Sequence, residues 1–110
     1  MVDERRQHPR VPLVIRVSHR LADAYMYYYS LDLSLGGMFL ETRSPFPAKT
    51  RLSLDFQLPD RERRVAVEGE VVRTVTPDLN NPALEPGMGI AFTAIDAESL
   101  AELTEFLGRP

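Results

Sequence analysis

Strict alternation of apolar and polar residues is the feature of this sequence that most limits its fold. Over residues 50–58 the side chains change character at every step, which is typical of a strand with one buried face. The apolar positions there are Leu52, Leu54, Phe56 and Leu58. Related patterns predict further strands over residues 11–19, 26–33, 38–42, 65–75 and 87–95. About six strands with no helix between them indicate an all-β chain folded as a closed or nearly closed antiparallel barrel.

Local signals add one bend and one helix to this pattern. Gly69 interrupts the strand over residues 65–75, and a glycine there indicates a bulge or sharp bend that lets a long strand curl. A C-terminal helix is predicted over residues 96–108, because Asp96 suits a helix N-cap and Gly108 suits a C-terminal stop. Its apolar stripe consists of Leu100, Leu103, Phe106 and Leu107. We expect this stripe to pack on the barrel; left uncovered, it would form a dimer interface.

Size, charge and cysteine content restrict the function. The chain has 110 residues, which is the size of one domain. Its formal net charge of −3 and pI near 5.3 argue against DNA binding. We expect a flexible arginine arm over residues 1–12 and a single domain over residues 11–110. The sequence has no cysteine, no signal-peptide pattern and no apolar run near the ~20 residues that cross a bilayer. These features predict a cytoplasmic protein without membrane insertion.

Few side chains are arranged for catalysis. The two histidines, His8 and His19, lack the spacing of a metal site, and both are predicted to be solvated on the surface. No nucleophile elbow or glycine-rich phosphate loop is present. The sequence therefore predicts a protein that is not an enzyme and that carries no cofactor or metal.

Two short segments nevertheless indicate ligand binding. Arg5, Arg6 and Arg10 lie within six residues, in a segment that prolines keep from forming a helix. Guanidinium groups grip phosphates, although a frayed, soluble terminus would have the same composition. Asp32 and Ser34 come at the end of a predicted strand, where we expect their side chains to share one face.

Gly36 and Gly37 follow this acidic turn directly. Glycines permit positive φ and let a ligand or another backbone come close, while an Asx turn closing a hairpin is the alternative interpretation. Together, an arginine arm and an acceptor turn suit a guanine nucleotide. Guanine donates hydrogen bonds from N1 and N2 and accepts them at O6 and N7.

These segments resemble the two motifs of the PilZ domain family. Residues 6–10 (Arg-Gln-His-Pro-Arg) match its RxxxR motif, and residues 32–37 (Asp-Leu-Ser-Leu-Gly-Gly) match its [D/N]xSxxG motif. The separation of one strand, one turn and one strand is also similar. Further similarity to stand-alone PilZ proteins of delta-proteobacterial type covers residues 36–40, 69–72 and 86–92. The resemblance thus extends over nearly the whole chain.

The resemblance implies a bacterial receptor for cyclic di-GMP, built on a six-stranded antiparallel β-barrel of split-barrel type with one C-terminal α-helix. It implies that the arginine arm folds over the barrel when the ligand arrives. Arg6 and Arg10 would bind phosphates and the Hoogsteen edge of guanine, and Arg5 would add a phosphate or stacking contact. Asp32 and Ser34 would hold the guanine edge from the barrel surface.

Gly37 and Arg73 complete the binding residues that the resemblance implies. A Cβ at Gly37 would intrude on the turn or the ligand. Similar proteins often carry an aromatic residue, commonly Trp, just after the Gly-Glu-Val-Val stretch, and here that position is Arg73. An arginine plane also stacks on a base, so Arg73 is a predicted ligand contact. The number of ligand molecules bound stays open.

The sequence is compatible with several functional classes. The leading one is a receptor that signals through an unidentified protein partner, as a monomer or weak homodimer, and the family points to control of motility. A PilZ scaffold without useful nucleotide affinity would act only as an interaction module. A barrel that binds single-stranded RNA through Tyr and Arg, and a hydrolase of the dinucleotide, are the other classes. The tyrosines suit either packing or a partner surface; they are Tyr25, Tyr27, Tyr28 and Tyr29.

Overall fold

The structure, a computed structural model, describes residues 8–108 as a series of strands followed by one helix. The elements are β1 (Val11–Pro12), β2 (Arg16–Arg20), β3 (Tyr25–Leu33), β4 (Gly37–Glu41), β5 (Arg51–Gln57), β6 (Arg64–Val75), β7 (Gly87–Ile95) and α1 (Ala97–Leu107). All strand pairings among these residues are antiparallel. Within the same range, no helix is long and apolar enough to cross a membrane.

Six of the strands close into a barrel. Their order around the wall is β3-β2-β5-β6-β7-β4, and β4 pairs with β3 to complete the ring. Each of these strands sends apolar side chains into the interior, among them Val17, Leu33, Leu40, Phe56, Val65 and Ile90. The predicted fold, an all-β antiparallel barrel of six strands with one C-terminal helix, is confirmed.

The first predicted strand, over residues 11–19, is interrupted in the structure. β1 and β2 both pair with β3, but residues 13–15 between them leave the regular ladder. The Ser30 hydroxyl donates to the Leu13 carbonyl at 2.7 Å and accepts from the Ile15 N–H at 3.3 Å. A side chain therefore replaces part of the backbone pairing, which the alternation of residues does not reveal.

The twelve-residue strand β6 pairs with β7 through two shifts of register. Its pairing with β7 shifts between Glu68 and Gly69 and again between Val71 and Arg73. A Cβ on Gly69 would lie 2.5 Å from Cγ2 of Ile90, so the glycine also lets a β7 side chain pack against β6. At the shift beside Gly69 the extra residue is Thr93 of β7, and the residue of β6 that bulges is Val72, so the predicted bulge lies in β6 but three residues after Gly69.

The helix packs against β6 at the end of the chain. Asp96 caps it by accepting a hydrogen bond from a backbone N–H of the first turn at 2.7 Å, as predicted. Leu103 is fully buried in the core, whereas Leu100 is 42% exposed, so the predicted apolar stripe is only partly covered. Arg61, in the turn between β5 and β6, donates to Glu102 of the helix at 2.8 Å. This hydrogen bond lowers the pKa of Glu102 and ties the helix to the turn.

His19 is buried, so the prediction that it lies solvated on the surface is wrong. Its exposed fraction is 4%, and its ring contacts Tyr28 and Phe46, with centroids 6.4 and 5.8 Å away. Phe46 comes from the segment between β4 and β5, whose return over β2 could not be foreseen from local alternation. Burial lowers the pKa of the His19 imidazole. Its Nδ1 has no hydrogen-bond partner among the described residues.

We expect the free energy of unfolding to decrease on acidification because of His19. In the unfolded chain His19 takes up a proton near the usual histidine pKa of 6.5, whereas burial keeps its pKa in the folded protein lower. The unfolded state therefore binds more protons below pH 6.5, and the free energy of unfolding falls as the pH decreases from that value. Urea unfolding at several values between about pH 7 and about pH 5 measures this loss. The His19→Gln variant should show a flatter pH dependence. An equal pH dependence in both proteins would contradict the assignment.

Candidate functional site

The candidate site begins at a bulge in β3. Pairing of β3 with β4 shifts between Ser30 and Asp32, which leaves Leu31 as the extra residue. Oδ1 of Asp32 accepts the Phe39 N–H of β4 at 3.0 Å. The same oxygen accepts a hydrogen bond from Nη1 of Arg10 at 2.8 Å. One carboxylate therefore joins β3, β4 and the segment that precedes β1.

The position of β1 explains why Arg10 reaches Asp32. The two residues of β1 pair with the last two residues of β3, so the preceding residue emerges beside that strand end. The side chains of Arg10 and Asp32 keep 31% and 26% of their exposure, so this ion pair is open to solvent and to a ligand. The structure thus brings Arg10 against the acidic turn. Arg5 and Arg6 lie outside the described residues, as does most of the predicted arm over residues 1–12.

Ser34 lies inside the turn and is 3% exposed. Its Oγ accepts from the N–H groups of Gly36 and Gly37 at 3.1 Å each and donates to the Gly37 carbonyl at 3.2 Å. The side chain of Ser34 is enclosed by its own turn, whereas that of Asp32 stays partly exposed, so of these two residues only Asp32 is open to a ligand. In this conformation Ser34 maintains the shape of the turn.

Gly37 is needed because a neighbouring strand comes very close. A Cβ on Gly37 would lie 2.0 Å from the carbonyl oxygen of Ile90 in β7. No glycine within residues 8–108 has a positive φ, so Gly36 and Gly37 do not use the conformational freedom that glycine permits. Gly37 does keep the backbone clear, and the group that it accommodates in this structure is the β7 backbone.

Phe39 and Arg73 form a flat surface next to this turn. We call these two residues the stacking pair. They belong to β4 and β6, on either side of β7, and both are in register with Gly89. Because Gly87 and Gly89 carry no side chain, their neighbours can lie over β7 and meet there. Cζ of Arg73 is 5.4 Å from the centroid of the Phe39 ring. A Cβ on Gly87 would come within 2.6 Å of that ring.

The stacking pair and Asp32 share one shallow groove. Its volume is about 300 Å³, and its lining includes Leu31, Asp32, Phe39, Arg73 and Glu85. The groove therefore combines a flat cation–aromatic surface with an acceptor carboxylate, and Arg10 stands at its edge through its bond to Asp32. Guanidinium groups bind phosphate oxygens in a forked geometry, and a flat surface suits an aromatic base. Within residues 8–108, no cluster of side chains suits a metal ion.

Phe39 is the site residue that sequence reasoning missed. The available signal was the pair of glycines, Gly87 and Gly89, two positions apart on one strand. Such a pair leaves one face of a strand free for side chains from its neighbours. Knowing which neighbours occupy it requires the register of β4 and β6 on β7, which the sequence pattern does not supply.

A family-level comparison covers almost the entire chain. The sequence model described as PilZ domain matches residues 4–109. No curated protein sequence matches the chain. The delta-proteobacterial subtype stays a prediction, because neither result bears on it.

Solved structures share the fold. The structure of the Bacillus subtilis inhibitor of motility (MotI/DgrA) is similar with a TM-score of 0.79 and 22% identity, covering 97% of this chain and 51% of that one. This chain therefore spans about half of that protein. The PilZ domain with c-di-GMP of YcgR from Escherichia coli is similar with a TM-score of 0.71 and 19% identity, covering 96% of this chain and 90% of that one. At such identities the likeness concerns the fold.

Gly37→Ala should destabilise the protein much more than Gly89→Ala. The added Cβ at Gly37 meets a backbone carbonyl at 2.0 Å, whereas the one at Gly89 meets Arg73 at an ordinary 3.6 Å. Overpacking against backbone costs about 1–3 kcal/mol or more, and thermal unfolding of the two variants measures the difference. Equal melting temperatures would show that β4 and β7 do not approach as described.

Proposed function

Because this chain belongs to the PilZ domain family, we propose that it is a receptor for cyclic di-GMP that signals through contact with another protein. The observation that carries the proposal is the Arg10–Asp32 ion pair at the groove of the stacking pair. Two structures of Escherichia coli YcgR that share this fold contain c-di-GMP. The groove supplies the cations and the flat surface that such a dinucleotide needs.

Each site residue receives a role that follows from its surroundings. Arg10 binds a phosphate or the Hoogsteen edge of guanine, and Arg5 and Arg6 do the same from the preceding segment. Asp32 offers its second carboxylate oxygen, Oδ2, to the N1–H and N2–H groups of guanine. Arg73, supported from below by Phe39, stacks on the base.

Ser34 and Gly37 act indirectly by holding the turn. The Ser34 hydroxyl is occupied by backbone groups of the turn, and Gly37 lets β7 pass close behind it. In this role they fix the position of the Asp32 carboxylate, and a ligand gains contact with them only if the turn opens.

Binding is coupled to rearrangement of the arginine segment. In the structure Asp32 neutralises Arg10, so an arriving phosphate competes with a carboxylate for the same guanidinium. Each charge-assisted hydrogen bond contributes on the order of 1.5–3 kcal/mol, and ordering a residue costs about 1–2 kcal/mol. Several arginines must therefore engage the two phosphates together. The closed segment then presents a new surface to the partner protein.

The proposal describes a non-enzymatic protein of the bacterial cytoplasm, where a cytoplasmic second messenger would reach it. The groove holds guanidinium and carboxylate groups but no histidine among the residues that line it. Its chemistry therefore favours holding a dinucleotide over hydrolysing it.

Arg10→Ala should abolish calorimetrically detectable binding of cyclic di-GMP. The variant removes a phosphate contact, while the lost ion pair is about one-third exposed and contributes only about 0–1 kcal/mol to stability. Isothermal titration with cyclic di-GMP, GTP and cyclic di-AMP measures affinity and selectivity, and the melting temperature reports folding. The wild type should bind cyclic di-GMP with a micromolar or lower Kd.

Arg51→Ala is the matched control for this titration, because Arg51 is an exposed arginine on β5 outside the groove. It should bind like the wild type. Wild-type affinity in Arg10→Ala would refute the assignment of the arginine segment. No heat from the wild type at tens of micromolar ligand would refute the receptor and favour a PilZ scaffold that acts only through protein contact.

A further inference from the structure

The outer face of β3 carries three exposed tyrosines that the nucleotide site does not use. Tyr25, Tyr27 and Tyr29 are 54–55% exposed, whereas Tyr28, which points inward, is 7% exposed. They alternate along the strand and therefore project from one side of the wall. Together with Arg16 on β2 and Glu41 on β4, we call this surface the tyrosine face.

The side chains of the tyrosine face already support one another. The rings of Tyr25 and Tyr27 are stacked, with centroids 6.4 Å apart and an interplanar angle of 18°. Cζ of Arg16 lies 4.8 Å from the centroid of the Tyr27 ring. Ordered tyrosine and arginine side chains lose little conformational freedom on binding and are enriched in protein interfaces.

Two residues of opposite charge lie on either side of Tyr29 in a single cross-strand row. Arg16 pairs in register with Tyr29, and Tyr29 pairs with Glu41 on its other side. All three are exposed and lie on the same face of the sheet. Neither Arg16 nor Glu41 forms an ion pair with another residue in the described part of the chain. Among the described residues, the row therefore runs from a cation without an ion-pair partner, through a tyrosine, to an anion without one.

We propose that the tyrosine face is a homodimer interface in which two copies pack face to face around a two-fold axis parallel to β3. This axis keeps each β3 over its counterpart and places β2 of one copy over β4 of the other. Arg16 of each copy then faces Glu41 of its partner, which gives two reciprocal ion pairs around the packed tyrosines. A surface that complements itself in this way suits an isologous contact.

Charge also disfavours a face-to-face arrangement around a perpendicular axis. A two-fold axis perpendicular to β3 would place β2 over β2. Arg16 would then meet Arg20, which is in register with Tyr25 at the opposite end of the same strand pair. Like charges in contact weaken an interface, so the parallel axis is favoured.

The expected dimer is weak. Half-exposed tyrosines supply on the order of 100 Å² each, which together with the flanking charged side chains gives an interface near the lower limit of specific ones. We expect a dissociation constant in the range of about 10–100 μM. The dimer does not depend on cyclic di-GMP, so its test is independent of the proposed function.

A charge-swap experiment tests the interface. Sedimentation velocity of the full chain over about 1 μM to 1 mM, without nucleotide, measures the dissociation constant. Arg16→Glu and Glu41→Arg should each weaken dimerisation about ten-fold or more, because each places like charges together twice. The double variant should return to within about three-fold of the wild type, because it restores both pairs in reverse.

Controls separate folding from association. All changed positions are exposed, so melting temperatures should stay close to that of the wild type. Arg51→Glu makes the same change in charge on β5, outside the tyrosine face, and should dimerise like the wild type. Tyr27→Ser, at the centre of the stripe, should abolish the dimer.

Two outcomes would overturn the proposal. A wild type that stays monomeric up to about 1 mM would leave the tyrosine face to a different protein. A dimer that neither charge reversal weakens, or that the double variant fails to restore, would show that two copies meet through another surface.

Discussion

The arrangement of the whole site depends on the carboxylate of Asp32. A bulge at Leu31 in β3 brings this side chain to the N–H of Phe39, so the carboxylate takes part in the strand pairing that closes the barrel. The same oxygen holds Arg10 at 2.8 Å. Closure of the barrel and placement of Arg10 thus share one atom, Oδ1 of Asp32. In the proposed receptor, a ligand bound to Arg10 would therefore act directly on the seam between β3 and β4.

Close backbone approach is the second constraint, and it explains the glycines without any unusual φ. Gly37 admits the carbonyl of Ile90, and the bare surface over Gly87 and Gly89 accommodates Phe39 and Arg73. The flat surface of the groove thus results from side chains that are missing on β7. Arg73 and Phe39 meet over this bare surface, with Cζ of Arg73 5.4 Å from the centroid of the Phe39 ring.

The sequence predicted those features that depend on local pattern. Alternation located the strands, Asp96 located the helix start, and two short motifs located the arginine and the acidic turn. The differences between expectation and structure concern residues whose surroundings the local pattern does not supply. His19 is covered by Phe46, and the hydroxyl of Ser34 turns inward to its own loop. Phe39 was missed for the same reason, since its role depends on the register of three strands.

The central claim is that Arg10 and Asp32 both contact cyclic di-GMP, and an NMR titration tests it most directly. The amide of Phe39 reports on the Asp32 carboxylate, and the Nε–H signals of Arg10 and Arg73 report on the guanidinium groups. The amide of Ala66 donates a hydrogen bond to the Ser99 hydroxyl of the helix, and its signal serves as the internal reference. Adding the dinucleotide should shift the first three signals saturably and leave the reference in place. Signals from Phe39 and Arg10 that stay unchanged at saturating ligand would contradict the account.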